Sequence, residues 1–452
     1  MCAKMRFASR KYCFRGTLWQ RSFGEVTTAL IVFVLMYAGM LAFSKWRVWF
    51  AIGAAFCMVI FGVLPLEKVL PNINWNVIMM IAGTMGLVSL FVETGMPSRL
   101  ADMILNRVSN ACWAVIALSV FSGVISAFVD NVATVLMLAP VGLEICRKLK
   151  LNPVPVIIAI AVSSNLQGAA TLVGDTTSIL LGDYAGMTFL DFIWWKGRPG
   201  IFWAVELGAA GTVVILYLLF RKNREPIEKQ ALTPVTDYFP GWMMIAMVGL
   251  LIVASFIVFP NALDDLKNGL ICLLVFLVTL IRSCLIRKNS IPLKTVGKEM
   301  DYQTLAMLCG LFIVVASIRE AGIIDVIANW FSTIGQGSLF GLYTLIVFGS
   351  VILSAFIDNI PYVAAMLPVI EVLSAKLGIA PYVLYFGLLT GATLGGNITP
   401  FGASANVTAI GILRKTGQEV RNSDFFRIGI PFTLTAVVIG YLFIWFVWSG
   451  VV

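Results

Sequence analysis

The sequence predicts an all-α polytopic membrane protein: two inverted repeats, each of five transmembrane helices plus a re-entrant hairpin, with discontinuous helices. Three observations carry that expectation. Of 452 residues, 60% are hydrophobic and only 12% charged, against roughly a quarter charged in soluble domains. The apolar residues fall into runs of membrane-spanning length separated by charged punctuation. An Asp-Asn pair interrupts one long apolar run in each half, at 130–131 and again at 358–359.

This composition excludes a water-facing globule, a nucleic-acid reader and a disordered scaffold. The net charge of +9 comes from 32 Lys and Arg against 23 Asp and Glu, and most of the bases lie between apolar runs. There they report topology rather than a nucleic-acid partner. Histidine is absent, which removes Ser-His-Asp and Cys-His catalysis and any histidine relay, so proton chemistry must use carboxylates. No cofactor or metal site is expected: the eight cysteines include no CxxC pair and read as small packing residues. A basic tail, 1–25, precedes the first run, whose length and lack of a following small-residue cleavage site argue against a secretory signal peptide.

The first repeat, 26–220, has runs near 26–44, 47–65 and 75–92 and an amphipathic stretch at 97–109. A run at 111–146 broken by Asp130-Asn131 follows, then one at 153–185 broken by a Gly/Thr/Ser-rich patch, then one at 200–220. Residues 221–240 form a polar linker. The second repeat, 241–452, runs through 241–259, 269–286 and 303–318, an amphipathic 323–333, a 340–373 broken by Asp358-Asn359, a 381–413 broken by Gly-Gly-Asn, and 426–449.

The halves also align in detail. Residues 73–96 match 300–323, pairing Trp75 with Tyr302, Gly83 with Gly310, Glu93 with Glu320 and Gly95 with Gly322. SAFVDNVATVLMLAPV at 126–141 matches SAFIDNIPYVAAMLPV at 354–369. Chance explains shared Leu and Val in greasy segments, but not a shared Asp-Asn at a nearly constant offset. If each broken run enters and leaves on one side, each half crosses an odd number of times and the halves are inverted. Outside the tail most bases, Lys45 and Arg47 among them, group with the Arg147, Lys148, Lys150 flank, which the positive-inside rule assigns to the cytoplasm. The tail's own bases then fall on the other side, which means either that the tail is translocated despite its charge or that the count of spans is off by one; no Lys or Arg is placed at mid-membrane depth.

A carboxylate at membrane depth costs several kcal/mol unless paired, hydrated or protonated, which makes Asp130 and Asp358, with Asn131 and Asn359, candidates for function. Their competing role is bracing the hairpin turn, since Asp and Asn are good N-cap residues. In the second interruptions, Gly168, Gly174, Gly395, Gly396 and Gly402 permit non-helical backbone and Pro400 removes a donor. Asn165, Thr171, Thr176, Thr177, Ser178, Asn397, Thr399, Ser404 and Asn406 can satisfy the freed groups or face a ligand. Close helix contact through small residues is the alternative. Half-helix N-termini suit anions, and the opposite ends and freed carbonyls suit Na⁺ or H⁺. The repeat breaks at Asp175, whose counterpart is Ala403. Asp130, Asp175 and Asp358 are therefore the expected proton or cation sites, with Glu206, in an apolar run, as a further candidate.

At the two SAF segments and at GATLGGNITPFGASANVTAIG, 391–411, the chain resembles the ion transporter superfamily. It is most similar to the arsenical-pump and melanosomal P-protein permeases, and more distantly to divalent-anion/sodium symporters. The resemblance spans about 26–449 and implies a scaffold domain, a transport domain and a homodimer working by an elevator movement. It also implies ion and substrate sites at Asp130-Asn131, Asp358-Asn359, Gly174 to Ser178 and Gly395 to Asn406. Symporter tips read Ser-Asn-Thr where this chain reads Asp-Asn-Val and Asp-Asn-Ile, and the permeases' common Gly-Asp-Pro-Pro-Asn is here Gly174-Asp175-Thr176-Thr177-Ser178. The expected protein is a multi-pass secondary transporter of the inner or plasma membrane, moving a small ion or oxyanion such as arsenite, coupled to protons or Na⁺. A Na⁺/H⁺ antiporter is the alternative, and a passive anion channel the alternative of another class. No enzymatic activity is expected.

Overall fold

The computed structural model describes residues 23–227, 231–257, 261–287, 291–334 and 338–450. The basic tail expected at 1–25 lies almost wholly outside the described residues, as do Cys2, Cys13, Lys229 and Lys288.

The first half opens with α1 (Phe23–Ala42), α2 (Arg47–Ile60), the single turn α3 (Val69–Asn72), α4 (Trp75–Glu93) and α5 (Met96–Leu105). It continues with the hairpin α6 (Ala111–Ser126) and α7 (Asn131–Leu149), the broken pair α8 (Pro153–Gly168) and α9 (Thr176–Ala185), and α10 (Ile201–Phe220). A small hairpin, β1 (Trp194–Trp195) with β2 (Arg198–Pro199), precedes α10.

The second half runs α11 (Phe239–Ala254), the turn α12 (Asn261–Asp264), α13 (Lys267–Arg287), α14 (Ile291–Glu299), α15 (Tyr302–Glu320) and α16 (Ile323–Ile334). The second hairpin follows, α17 (Leu339–Ser354) and α18 (Asn359–Leu377), then the broken pair α19 (Tyr382–Gly395) and α20 (Ser404–Lys415), and α21 (Asn422–Trp448). Most of these segments match the expected runs to within a few residues.

Helix starts follow from the sequence. Asn74, Asn110, Asn152, Asp301 and Ser338 each accept a backbone N–H from the first turn of the helix they precede. Among the described residues, seven helices are long and apolar enough to cross a membrane. Their outer faces carry large apolar side chains such as Val34, Trp242 and Phe446, as lipid-facing helices must.

The two halves repeat each other in their contacts. At Gly83 a Cβ would meet the backbone of Cys272, which joins α4 to α13; at Gly310 it would meet the backbone of Ala51, joining α15 to α2. The linker is tied down at one end of this bundle. Thr233 donates from backbone and hydroxyl to Asp102 at 2.8 and 2.6 Å, Asp237 pairs with Arg282, and Asn110 bridges to Pro226.

One expectation is corrected. Arg47, grouped by its sequence position with loop bases, begins α2 and forms an ion pair with Asp358 at the tip of the second hairpin. The reason is length: the 14 residues of α2 rise only about 21 Å, short of a hydrocarbon core of about 30 Å, so the turn before it reaches inward.

Candidate functional site

Both hairpins turn at an Asp in the N-cap position, Asp130 before α7 and Asp358 before α18, with nearly identical backbone angles (φ −48°, ψ 140° and φ −53°, ψ 135°). The side chains differ. Asp130 Oδ2 accepts from the backbone N–H of Val132 and Ala133 at 3.0 and 3.3 Å. Asp358 makes no such cap; its Oδ2 takes Arg47, and Ser404 Oγ stands 3.5 Å away.

The breaks in α8–α9 and α19–α20 lie against these tips. Thr171 donates to the carbonyl of Ala127, and Thr399 donates to that of Ala355, each across 44 residues. Gly174 fits a cradle of the carbonyls of Gly168, Ser126 and Ala127, where a Cβ would stand 2.6–2.8 Å away. Gly402 fits the matching cradle of Gly396, Ser354 and Ala355 at 2.6–2.9 Å. Only glycine allows so close a backbone approach.

A polar chain runs through the centre. Ser126 donates to Asn131 Oδ1 at 2.8 Å, Asn131 Nδ2 to Asn165 Oδ1 at 3.1 Å, and Asn165 Nδ2 to the carbonyl of Thr393 at 2.8 Å and Asn397 Oδ1 at 3.1 Å. Thr177 donates to Asp175 Oδ2 at 2.6 Å and lies 3.0 Å from Thr393 Oγ1, and Asn359 Nδ2 approaches the same Asp175 oxygen at 3.4 Å. Asp175, only 5% exposed, thus touches the second tip while lying within electrostatic range of Asp130 and Asp358.

Beside this chain lies a cavity of about 460 Å³. Of the expected site residues, Asp130, Asn131, Asn165, Asp175, Thr176, Asn359 and Ser404 line it. Gly174, Thr177, Ser178, Asp358, Gly396, Asn397, Thr399, Gly402 and Asn406 are absent from its wall, so the expected coupling acid Asp358 faces Arg47 rather than the cavity. Of these, the two glycines of the cradles, Thr177, Asn397, Thr399 and Asn406 hold the broken backbone in place, Asn406 by donating to the carbonyls of Gly396 and Thr399. Glu206 stands apart, accepting from Gln167 at 2.8 Å.

From the tips the cavity extends along Met85, Val88 and Leu136 to Glu93, Asp301 and the exposed Glu299. Five carboxylates line it, and no Lys or Arg does among the described residues. Sequence reasoning missed Arg47 and the cavity's apolar wall. Glu93 gave a signal only as a repeat match, and Glu299 and Asp301 gave none. No group of three metal-ligating side chains occurs among the described residues.

Matching helical halves around a polar cavity, seven helices long and apolar enough to cross a membrane among the described residues, and the relatives that follow define an integral, multi-pass membrane transporter rather than an enzyme. A family model described as "CitMHS: Citrate transporter" matches residues 31–391, and the chain belongs to that family. It is 30% identical over 438 residues to the Mycobacterium tuberculosis protein named "Uncharacterized transporter Rv2685", covering 92% of this chain and 97% of that one. It is 25% identical over 495 residues to the Homo sapiens P protein, covering 92% of this chain and 58% of that longer protein. In structure it is similar to the Alcanivorax borkumensis YdaH transporter, with TM-score 0.60 and 15% identity over 93% of this chain and 98% of that one. The Neisseria gonorrhoeae efflux pump MtrF shares the fold at TM-score 0.57, with 15% identity and 96% coverage of both chains.

Proposed function

We propose that the protein is a secondary active carrier in which protonation of, or Na⁺ binding at, Asp130 and Asp175 licenses the passage of a small ion through the central cavity. The observation that supports this most is the placing of those two carboxylates where the first hairpin tip, the broken α8–α9 and Asn359 of the second tip converge on one cavity. On this reading 26–220 and 241–452 are the two repeats, joined by 221–240. The hairpins with α8–α10 and α19–α21 form a transport unit that slides as an elevator against a scaffold of the remaining helices, within a homodimer. The remaining expected site residues position the unwound backbone around the ion.

The substrate belongs to the small ions and oxyanions, with arsenite and citrate as the first to try. The cavity's five carboxylates and lack of basic side chains favour a second version, Na⁺/H⁺ exchange, because a bare polyanion would be repelled at this wall.

The test uses purified protein in proteoliposomes with imposed pH or Na⁺ gradients and a panel of arsenite, citrate and Na⁺. Gradient-driven flux of one panel member, abolished in both Asp130→Asn and Asp175→Asn, is expected. Full activity in both variants overturns the coupling assignment, and flux that ignores the gradient and exceeds carrier rates replaces the carrier with a passive channel.

A further inference from the structure

The two tip acids share one backbone conformation but not one role. Asp130 caps its own helix; Asp358 leaves α18 uncapped, gives Oδ2 to Arg47, and keeps Oδ1 buried without a hydrogen-bond partner. Asn is as good a cap as Asp, so the loss of the cap in one repeat alone calls for a cause outside the hairpin. Arg47 supplies it.

Arg47 is not part of the hairpin unit. It starts α2, whose Ala51 backbone meets α15 at Gly310. The neighbouring α1 sends a second strut to the same tip, since Tyr37 Oη donates to the carbonyl of Pro361 at 2.7 Å. The first repeat's tip lacks the equivalent cation. Matching the Gly310–Ala51 approach to the Gly83–Cys272 approach puts Asn268 at the place of Arg47.

We propose that Arg47 is a positioning residue of the transport cycle. It cancels the charge of Asp358 and pins the second tip to α1–α2, so that the unpaired coupling charge rests on Asp130 and Asp175 alone. This inference rests on the carrier reading above, but its test does not need a transported solute. Among the described residues, the other ionisable groups that interact around the second tip include Tyr37 on α1, Tyr362 on α18, Asp175 at the start of α9 and Asp130 at the start of α7. None of these is a cation, so removing Arg47 leaves Asp358 as an unmatched acid. A buried carboxylate left without its cation destabilises the fold, and an uncharged amide in its place does not carry that cost.

The experiment measures thermal unfolding of the full chain in detergent, with hydrogen exchange of the 355–361 peptide. Arg47→Gln should melt lower than wild type and exchange at the tip at least about tenfold faster. Arg47→Lys should restore much of both. The double variant Arg47→Gln/Asp358→Asn should recover much of the lost melting temperature, because the unmatched charge is gone, and it serves as the folded reference where Arg47→Gln alone does not fold. An Arg47→Gln melting temperature equal to wild type, or a loss that survives Asp358→Asn in full, overturns the proposal. Absence of gradient-driven flux in vesicles would remove the carrier reading and leave these melting results readable.

Discussion

Asn165 and Asn397 clasp each other's broken helix: Asn165 Nδ2 donates to Asn397 Oδ1 at 3.1 Å, and Asn397 Nδ2 donates to the carbonyl of Val162 at 2.9 Å. Both side chains are 1% exposed, and these bonds join the two halves at their centre. Deleting one partner leaves buried polar groups without bonds, which costs about 1–3 kcal/mol. Asn165→Ala and Asn397→Ala should each lower the melting temperature of the purified protein. The double variant should be less destabilised than the sum of the two, because the shared bond is lost only once. Strict additivity would mean that the clasp contributes nothing as a pair.

Gly174 and Gly402 make a second prediction because their surroundings are backbone, which cannot swing aside. An added methyl at either would lie under 3.0 Å from three carbonyl oxygens. Gly174→Ala and Gly402→Ala should each cost about 3 kcal/mol, enough to reduce the yield of folded protein. Gly53, inside α2 with nothing within 4 Å of its missing Cβ, provides the contrast: Gly53→Ala should leave stability equal or raise it by about 0.5–1 kcal/mol. Size-exclusion recovery and melting of the three variants separate these outcomes.

The fold was legible because each membrane crossing must bury about twenty apolar residues, and because Asp, Asn and Gly announce where helices stop. Asp130, Asp175 and Asn165 were legible as polar residues in stretches that should be apolar. Arg47 was not, since it pairs across 311 residues and counting bases by loop treats every flanking base as lying outside the bilayer. Met85, Val88 and Leu136 line the cavity but look like any lipid-facing or core residue. Apolar periodicity carries no sign of which face meets a cavity.

Charge and cap can be separated at Asp130. Its Oδ2 accepts two backbone N–H groups at the start of α7, and an asparagine oxygen can do the same. Asp130→Asn should therefore stay within about 0.5 kcal/mol of wild-type stability while losing the ionisable group. Asp130→Ala loses both and should be about 1 kcal/mol less stable. Denaturation of the two variants beside their vesicle flux checks this. Equal stability of Asn and Ala at this position would mean that the cap is idle.

The end of α15 away from the cavity mouth carries ion pairs that the first repeat does not reproduce. Arg319 pairs with Glu371 at 2.7 Å, and Tyr184 donates to the same carboxylate while receiving from Arg319. Lys376 reaches Asp325 at 3.1 Å and Asn329 at 2.9 Å. The repeat alignment puts Val92, Leu143 and Ile412 where Arg319, Glu371 and Tyr184 stand, so the Arg319–Glu371–Tyr184 contact has no counterpart at those aligned positions. These pairs join α15 and α16 to α18 and α9, and separating those elements at this end must break them. Being half exposed, each pair is worth at most about 1 kcal/mol, which amounts to roughly a two- to fivefold change in opening. Glu371→Gln should speed hydrogen exchange of the 183–187 and 366–372 segments by that factor. Raising salt from 0.05 to 0.5 M should do the same to wild type, through screening, and have little effect on the variant. Equal salt responses in both proteins would show that the closure at this end is held by apolar contact instead.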